Sequence, residues 1–158
     1  MDKKIVVKIK KDAGAIVPDY AHEGDAGLDI YANEECILMP GHRKDIGTGL
    51  HLEIPKEHAG LVWDKSSLPL KYGIKTMAGV IDSNYRGELK IVLINLSSKE
   101  FQVAKGMKIA QLLIQKVERA EIKEVSELSS SERGEKGFGS TGLRKSDLKS
   151  IKEEIERR

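Results

Sequence analysis

The sequence predicts an all-β fold, a sandwich or jelly roll, and three of its features support this prediction. Apolar residues occur in short runs of strand length, several of which alternate with polar residues. Glycines and prolines separate these runs at short intervals. No long stretch has the 3.6-residue period of an amphipathic helix. Many short strands bounded by turn residues are typical of antiparallel β architectures.

The composition favours a single globular domain. With 158 residues, the chain is long enough to bury a core without cross-links. Its net charge of +2 comes from interspersed lysines and glutamates, so it lacks the basic surface typical of nucleic-acid or membrane binding. No signal-peptide pattern or long apolar run is present. We therefore expect a soluble, cytoplasmic protein that binds neither nucleic acid nor membranes.

The cysteine and histidine content argues against a disulfide and against a zinc site. Cys36 is the only cysteine, so it cannot form an internal disulfide, and a small buried thiol is its expected state. No histidine has a paired ligand spacing with this cysteine; the four are His22, His42, His51 and His58.

The first strand is predicted at Lys4–Lys10, where isoleucines and a valine alternate mostly with lysines. Pro18 and residues 23–27 then mark a loop. In the next strand, Asp29 stands between apolar residues, where a carboxylate is unusual. Further strands are predicted at Leu28–Tyr31, Leu50–Ile54 and Gly60–Trp63, with turns at Pro40–Gly41 and Gly47–Gly49.

A short helix is predicted at Ser66–Lys71. Ser66 can act as the N-cap, and Pro69 falls within the first turn, where it is tolerated. The free amides at such a helix start, together with Lys65 and the hydroxyls of Ser66 and Ser67, could hold a phosphate. An ordinary capped turn without a ligand is the alternative, and this segment alone favours it.

Residues Gly79–Gly87 form the segment on which the functional hypothesis depends. Apolar residues lead up to Asp82, turn-forming residues follow, and an apolar strand pattern resumes at Leu89, which together predict a β-hairpin. A carboxylate directly after a β-branched apolar pair is a candidate for chemistry at a strand end. Tyr85 offers a flat face to a sugar or a base. The alternative is a solvated turn aspartate beside a packing tyrosine.

Two later strands carry further signals. Glu88–Asn95 is apolar on both faces at residues 91–94, so this strand is either central in a sheet or packed against another subunit. Gln111 lies inside the apolar strand Ile109–Ile114, where its amide needs hydrogen-bond partners. Those partners are either structural groups or a ligand.

The composition changes after residue 128. Residues 129–142 cannot bury a core and are predicted to form a flexible, Gly-rich arm. Glycines let the backbone approach a ligand closely, while Phe138, Arg133 and Ser140 could grip it. The predicted organisation is thus a β core at 1–128, the arm at 129–142 and a charged extension with a marginal helix at 143–158.

Five segments occur in the order and spacing of one family's motifs: Asp25–Ile30, Lys65–Leu68, Gly79–Gly87, Gly106–Gln111 and Arg133–Gly142. On these motifs the chain resembles the homotrimeric dUTP pyrophosphatases (dUTPases), over roughly residues 4–142. The resemblance implies a jelly-roll-like β-barrel of the dUTPase type, assembled as a homotrimer with shared active sites. It also implies hydrolysis of dUTP to dUMP and pyrophosphate, which limits uracil incorporation into DNA and supplies dUMP for thymidylate synthesis.

The resemblance also assigns roles at the nucleoside end of the substrate. Asp82 occupies the catalytic position, where a base would activate water for attack on phosphorus. Tyr85 would pack under the deoxyribose and leave no space for a ribose 2′-hydroxyl. Backbone groups would recognise the uracil edge at four positions: Gly79, Val80, Ile81 and Lys90.

At the phosphate end, the resemblance implies that Ser66 and Ser67 hold the phosphate chain next to Lys65. Gln111 would reach the α-phosphate, and Asp29 would hold Mg²⁺ through a water molecule. The arm would then close and exclude bulk water. Phe138 would stack over the uracil, Arg133 and Ser140 would meet the γ-phosphate, and Gly139 would also contact the substrate.

The chain departs from the family pattern at the second motif, which usually reads Pro-Arg-Ser-Gly-Leu-Ala and here spans Asp64–Pro69. Lys65 cannot supply the two-pronged hydrogen bonding of arginine. Two alternative functions are weighed. A dCTP deaminase, or a bifunctional dCTP deaminase and dUTPase, shares the fold but places a catalytic glutamate near the hairpin. A non-catalytic nucleotide-binding regulatory module is disfavoured by the intact Asp82 and arm.

Overall fold

The structure is a computed structural model, and it describes residues 5–135. Within this range almost all regular structure is β-strand. The ten strands and one helix of these residues are β1 (Lys8–Lys11), β2 (Leu28–Tyr31), β3 (Cys36–Leu38), β4 (Arg43–Glu53), β5 (His58–Trp63), α1 (Ser67–Tyr72), β6 (Ile74–Met77), β7 (Val80–Ile81), β8 (Glu88–Asn95), β9 (Phe101–Val103) and β10 (Lys108–Lys116).

The strands form two four-stranded sheets and one two-stranded ribbon, all antiparallel. The first sheet has the order β1-β4-β8-β6, the second has the order β2-β10-β5-β7, and β3 pairs with β9. Buried side chains of both sheets meet in one apolar core, which includes Ile46, Leu50, Leu89, Ile91 and Leu93 of the first sheet and Ile30, Ile109 and Leu112 of the second. Each such side chain contributes about 1.5–3 kcal/mol. The predicted all-β sandwich of the jelly-roll type is confirmed.

The predicted strands form, with changes at their ends. β1 begins at Lys8 and pairs with β4, whereas Ile5 and Val6 precede it and are exposed. The strand predicted at Leu50–Ile54 is part of the longer β4. The turn predicted at Gly47–Gly49 is wrong, because β4 continues through these residues as a bulge in its pairing with β8.

Side chains replace the missing ladder hydrogen bonds at this bulge. The hydroxyl of Thr48 donates to the carbonyl of Leu89 and accepts the N–H of Leu50 over 3.3 Å. The carboxylate of Glu88 accepts the N–H of Gly49 over 2.9 Å. These bonds fix the beginning of β8 against β4. β8 itself is an inner strand of its sheet with β6 on its other side, which is one of the two arrangements that its sequence left open.

The hairpin predicted at Gly79–Gly87 is wrong in its pairing. β7 pairs with β5 of the second sheet, whereas β8 pairs with β4 and β6 of the first. The chain changes sheets at Ala78 and Gly79, whose φ angles are +61° and +130°. The N–H of Val62 donates to the carbonyl of Gly79 over 2.8 Å and holds the chain against β5. The segment therefore links the two sheets.

The short helix predicted at Ser66–Lys71 is confirmed as α1. Ser66 is the N-cap residue but has helical φ and ψ of −49° and −31°, and its side chain makes no capping hydrogen bond. The prediction of a side-chain cap is therefore wrong. Gly73 ends the helix in the left-handed conformation, and its N–H donates to the carbonyl of Pro69 over 3.2 Å.

The chain divides into two units, and the boundary falls after Ala120. The strands and the helix belong to the first unit, and residues 121–135 of the second contain neither helix nor strand. Arg133 lies in this second unit. The other predicted arm residues, Phe138, Gly139 and Ser140, lie outside the described residues, as does the extension at 143–158. Within residues 5–135, no helix has the length and apolar character needed to cross a membrane.

Candidate active site

A pocket of about 220 Å³ opens between β7 and β8. It exists because the pairing of β6 with β8 stops at Val92, where the chain turns away towards the second sheet. On the side of β8 that faces away from β4, residues 88–91 therefore pair with no strand in the described part of the chain. The pocket brings together predicted site residues from both sides: Val80, Ile81, Asp82, Tyr85 and Lys90.

Asp82 lies at the mouth of this pocket, directly after β7, and is exposed. Its carbonyl accepts the N–H of Tyr85 over 3.1 Å, which closes the predicted turn at residues 83–84. Within residues 5–135, no hydrogen bond or ion pair holds its carboxylate. The carboxylate is therefore available to accept a proton from a water molecule in the pocket.

Tyr85 forms one wall of the pocket and is 47% exposed. Its hydroxyl donates to the carbonyl of Glu88 over 3.1 Å, and its ring covers Gly87 so closely that a Cβ atom there would collide with the hydroxyl. Arg86 donates to the carbonyls of Ser83 and Tyr85, both over 2.7 Å. The turn is thus held in shape by its own side chains before any ligand arrives.

A second pocket, of about 550 Å³, lies where β2, β10 and β5 run side by side. In the register of this sheet, Gln111 of β10 stands between Asp29 of β2 and Trp63 of β5. Gly27 allows the Gln111 side chain to lie across β2, because a Cβ atom at Gly27 would be 3.1 Å from that side chain. Lys65 completes the group at the end of β5.

Asp29 is the buried acid of this second pocket, with an exposed fraction of 2%. Lys65 donates to its Oδ1 over 2.8 Å, and the ammonium group of Lys108 lies 2.7 Å from its Oδ2. Burial by itself raises the pKa of Asp29, but the contacts and charges of the two lysines outweigh it and hold the pKa below its ordinary value. The acid is therefore ionised, and the pair of lysines leaves a net positive charge beside Gln111.

The sequence model of the dUTPase family matches residues 13–142. The deoxyuridine 5′-triphosphate nucleotidohydrolase of Clostridium kluyveri is 49% identical over 140 residues, which cover 87% of this chain and 96% of that protein. The enzyme of the same name from Clostridium acetobutylicum is 51% identical over 142 residues, covering 88% and 98%. This chain belongs to the dUTPase family.

Solved dUTPase structures agree with this assignment. The dUTPase of Staphylococcus bacteriophage 80alpha with dUPNHPP superposes with a TM-score of 0.80 at 31% identity and covers 87% of this chain and 99% of that one. A dUTPase variant from phage phi11 of S. aureus, described with a structural Mg(II) ion, superposes with a TM-score of 0.72 at 26% identity and covers 77% and 97%. The dUTPase-type jelly roll is therefore the fold of this chain.

The structure places the dUTPase motif residues in two separate groups. Val80, Ile81, Asp82, Tyr85 and Lys90 line the pocket between β7 and β8, with Gly79 next to them. Asp29, Lys65 and Gln111 line the second pocket, and Ser66 and Ser67 follow directly in the chain. The two pockets share no lining residue. Nothing in the described residues joins the two groups into one cavity.

Lys108 and Asp64 are site residues that sequence reasoning missed. Lys108 lies within the fourth dUTPase motif, and the signal for it was Asp29, because a carboxylate inside an apolar strand needs a cation. Asp64 lines the second pocket and stands at the position where the family motif usually has proline. No local pattern indicated that it has partners elsewhere in the chain.

The second pocket does not fit a resident magnesium ion. Both oxygens of Asp29 lie within 2.7–2.8 Å of an ammonium group, so neither is open to a metal. Among residues 5–135, no group of three histidine, cysteine or acidic side chains could hold a metal ion. Each carboxylate oxygen has a second lone pair, which can accept a hydrogen bond from a water molecule bound to Mg²⁺.

Proposed function

We propose that this member of the dUTPase family hydrolyses dUTP to dUMP and pyrophosphate. The observation that carries the proposal is the carboxylate of Asp82, which has no hydrogen-bond or ion-pair partner among residues 5–135 and lines the pocket between β7 and β8. The family membership and the order of the five motifs support the same reaction. A glutamate, Glu88, also lines this pocket, but its carboxylate accepts the N–H of Gly49 over 2.9 Å and so is engaged in the bulge of β4.

Asp82 acts as the general base. It accepts a proton from a water molecule, the water oxygen forms a bond to the α-phosphorus, and the bond from that phosphorus to the bridging oxygen of the β-phosphate breaks. The electron pair of this bond leaves with pyrophosphate. General-base catalysis of this kind is typically worth a factor of about 10²–10⁴ in rate.

The pocket between β7 and β8 takes the nucleoside. Backbone groups at Gly79, Val80, Ile81 and Lys90 present a fixed pattern of donors and acceptors to the base. Cytosine carries an amino group where uracil carries a carbonyl, so it would leave one of these groups unpaired inside the pocket. Tyr85 lies against the sugar and excludes a 2′-hydroxyl.

The second pocket takes the phosphate chain. Lys65 supplies positive charge, Ser66 and Ser67 supply hydroxyl donors, and Gln111 reaches the α-phosphate from β10. Lys108 keeps Asp29 neutralised, which allows an anionic substrate to approach a pocket that contains a buried carboxylate.

Asp29 would hold Mg²⁺ through a water molecule, because the ion keeps much of its hydration shell. The ion would come with the triphosphate, since both oxygens of Asp29 lie next to lysine ammonium groups. When bound, the ion supplies neutralising charge on the phosphates.

The protein acts as a homotrimer with shared sites, in which the nucleoside pocket of one chain faces the phosphate pocket of another. The absence of any common lining residue between the two pockets supports this arrangement. The arm residues Arg133, Phe138, Gly139 and Ser140 complete the site by closing over the nucleotide, with the ring of Phe138 on the base and the side chains of Arg133 and Ser140 near the γ-phosphate.

One assay tests the proposed function. The purified chain is offered dUTP, dCTP, dTTP and UTP with Mg²⁺, and both pyrophosphate and ammonia are measured. We expect pyrophosphate from dUTP alone and no ammonia. Ammonia from dCTP, or no product from any nucleotide, would contradict the proposal. The Asp82→Asn protein, prepared identically, controls for contaminating phosphatases.

A further inference from the structure

Asp64 makes an unusual set of contacts for a residue in a connection between a strand and a helix. Its Oδ1 accepts both the N–H and the hydroxyl of Thr76, over 2.7 and 2.6 Å. Its Oδ2 accepts from the ammonium group of Lys75 over 2.6 Å. The side chain is only 20% exposed. Burial raises the pKa of Asp64, but the hydrogen bonds from Lys75 and Thr76 outweigh it and lower the pKa below its ordinary value.

These contacts connect the two sheets. Asp64 directly follows β5 of the second sheet, whereas Lys75 and Thr76 belong to β6, the edge strand of the first. The N–H of Thr76 points away from β8, so the carboxylate satisfies a backbone donor that the sheet leaves open at its edge. The connection therefore begins at a fixed point on the first sheet.

The other end of this connection is also fixed. Leu68 of α1 is buried in the core. After the helix, the N–H of Leu96 donates to the carbonyl of Gly73 over 2.8 Å. Between these anchors lie only Lys65, Ser66 and Ser67. Lys65 is bound to Asp29, and the side chain of Ser66 makes no capping bond to the helix. The position of the two hydroxyls is thus determined by Asp64 on one side and by α1 on the other.

We infer that Asp64 is a positioning residue for the phosphate-binding segment Lys65–Ser67. It places the hydroxyls of Ser66 and Ser67 and the ammonium group of Lys65 where the phosphate chain meets them. The inference rests on the proposed function, because it explains how one half of that site is ordered. Misplacement of binding groups by about 1 Å can cost up to about 10² in rate, so a contact outside the reacting atoms is enough to matter.

The test separates the phosphate end of the site from the nucleoside end. In Asp64→Ala, we expect the KM for dUTP and the Ki of inorganic pyrophosphate to rise about tenfold. The Ki of deoxyuridine, which lacks phosphates, stays at the wild-type value. A general loss of structure would raise both inhibition constants together.

Three further variants make the test specific. Asp64→Asn keeps a carbonyl oxygen for Thr76, so it should retain most of the pyrophosphate affinity. Thr76→Val removes the hydroxyl but keeps the N–H, so its Ki for pyrophosphate should lie between wild type and Asp64→Ala. Lys75→Met is the matched control, since Lys75 is 55% exposed and such an ion pair contributes little, so this variant should resemble wild type.

Equal effects of Asp64→Ala on both inhibitors, or no effect on either, would overturn the inference while leaving wild-type dUTP hydrolysis intact. Absence of pyrophosphate release by the wild-type protein would instead overturn the proposed function. If Asp64→Ala does not fold, Thr76→Val decides, and an unchanged Ki for pyrophosphate in that variant overturns the inference.

Discussion

Among single residues, Asp82 and Asp29 show how differently two carboxylates can be held in one small domain. Asp82 is exposed and unpaired within the described residues, while Asp29 is buried between two ammonium groups. The first arrangement suits a group that exchanges a proton with water. The second suits a group whose charge stays constant, because two nearby cations strongly favour the ionised form.

Replacing Asp82 by asparagine should abolish most of the activity and leave binding intact. The amide has nearly the same shape but cannot accept the proton of the attacking water, so kcat should fall by two or more orders of magnitude. The check is steady-state release of pyrophosphate, together with a binding titration with dUpNHpp. A variant that hydrolyses dUTP at nearly the wild-type rate would show that another group is the base.

Tyr85 can be tested by two independent changes. Tyr85→Ala removes the ring, and Gly87→Ala should push the ring aside, because its new Cβ atom would collide with the hydroxyl. Both variants should discriminate less well between dUTP and UTP, as measured by the ratio of kcat/KM for the two nucleotides. If both keep the wild-type ratio, the 2′-position is sensed by a different group.

Asp29 should make stability depend on pH in the acid range. Its pKa is lowered in the folded state, so its contribution is fully present above the unfolded value of about 3.9 and is lost as the pH falls through the folded value. At pH 7, Asp29→Asn should cost about 1–3 kcal/mol in the free energy of unfolding, and the difference should shrink towards pH 3. Urea unfolding of both proteins at several pH values measures this. A difference that grows on acidification would contradict the assigned direction.

At the residue scale, the sequence indicated candidate site residues but not the residues that contact them. Asp29 and Gln111 could be identified because a polar side chain inside an apolar strand needs a hydrogen-bond partner or a ligand. Lys108 and Thr76 could not, since lysines and threonines on strands are ordinary and become significant only through a contact with a residue distant in the chain.

At the scale of elements, the change of sheets at Ala78 and Gly79 creates the pocket between β7 and β8, which is the proposed nucleoside site. β6 ends and β7 joins the other sheet, so one edge of β8 pairs with no strand of residues 5–135. An open strand edge is usually a liability for aggregation. Here the change of sheets at Ala78 and Gly79 leaves a pocket beside the edge of β8, and backbone groups of β7 and β8 line it.

Gly79 should therefore be sensitive to the smallest substitution. In Gly79→Ala, the new Cβ atom would lie 2.7 Å from the carbonyl oxygen of Val62 at a φ of +130°. We expect a loss of about 1–3 kcal/mol in the free energy of unfolding and a marked rise in the KM for dUTP. Gly24→Ala is the matched control, because Gly24 also has a positive φ, of +89°, but no atom within 4 Å of its Cβ position. Equal losses in both variants would show that backbone strain alone, not the contact with Val62, constrains this position.

The extent of each strand could largely be predicted, whereas the pairing could not. Alternation and flanking glycines and prolines located β2, β5 and α1, because these signals are local. The pattern at Gly79–Gly87 is that of a hairpin, but β7 finds its partner in β5 through Val62, a contact that no local signal encodes. The pattern at Gly47–Gly49 likewise predicts a turn, because the partners that stabilise the bulge, Glu88 and Leu89, lie on β8 and are distant in the chain.

At the scale of the whole molecule, the proposed site needs two pockets, and these share no lining residue within one chain. The resemblance to homotrimeric enzymes led to the expectation of shared sites. The two pockets proposed for the nucleoside and for the phosphates have no lining residue in common, which supports the proposal of shared sites. A single chain in isolation could not reveal how such halves meet, because that depends on surfaces between copies.

Mixed trimers test this arrangement. Asp82→Asn keeps its arm but lacks the base, and a chain truncated before Arg133 keeps Asp82 but lacks the arm. If the base and the arm of a site come from different chains, random assembly of an equal mixture restores about a quarter of the sites, since each requirement is met with a probability of about one half. Co-refolding followed by a pyrophosphate assay measures the recovery. Confirmed mixed trimers with no more activity than the two parents would exclude the shared site.

The position of Trp63 gives the protein a built-in optical reporter. It is the only tryptophan of the chain, it is 60% exposed, and it lines the same pocket as Lys65 and Gln111. Indole emission responds to the polarity and charge around the ring, so if the phosphates bind here as proposed, their arrival, hydrolysis and departure should each change the signal of one identifiable residue. Rapid-mixing fluorescence could therefore resolve the order and speed of these steps in unlabelled protein, and the same signal would record which step limits turnover.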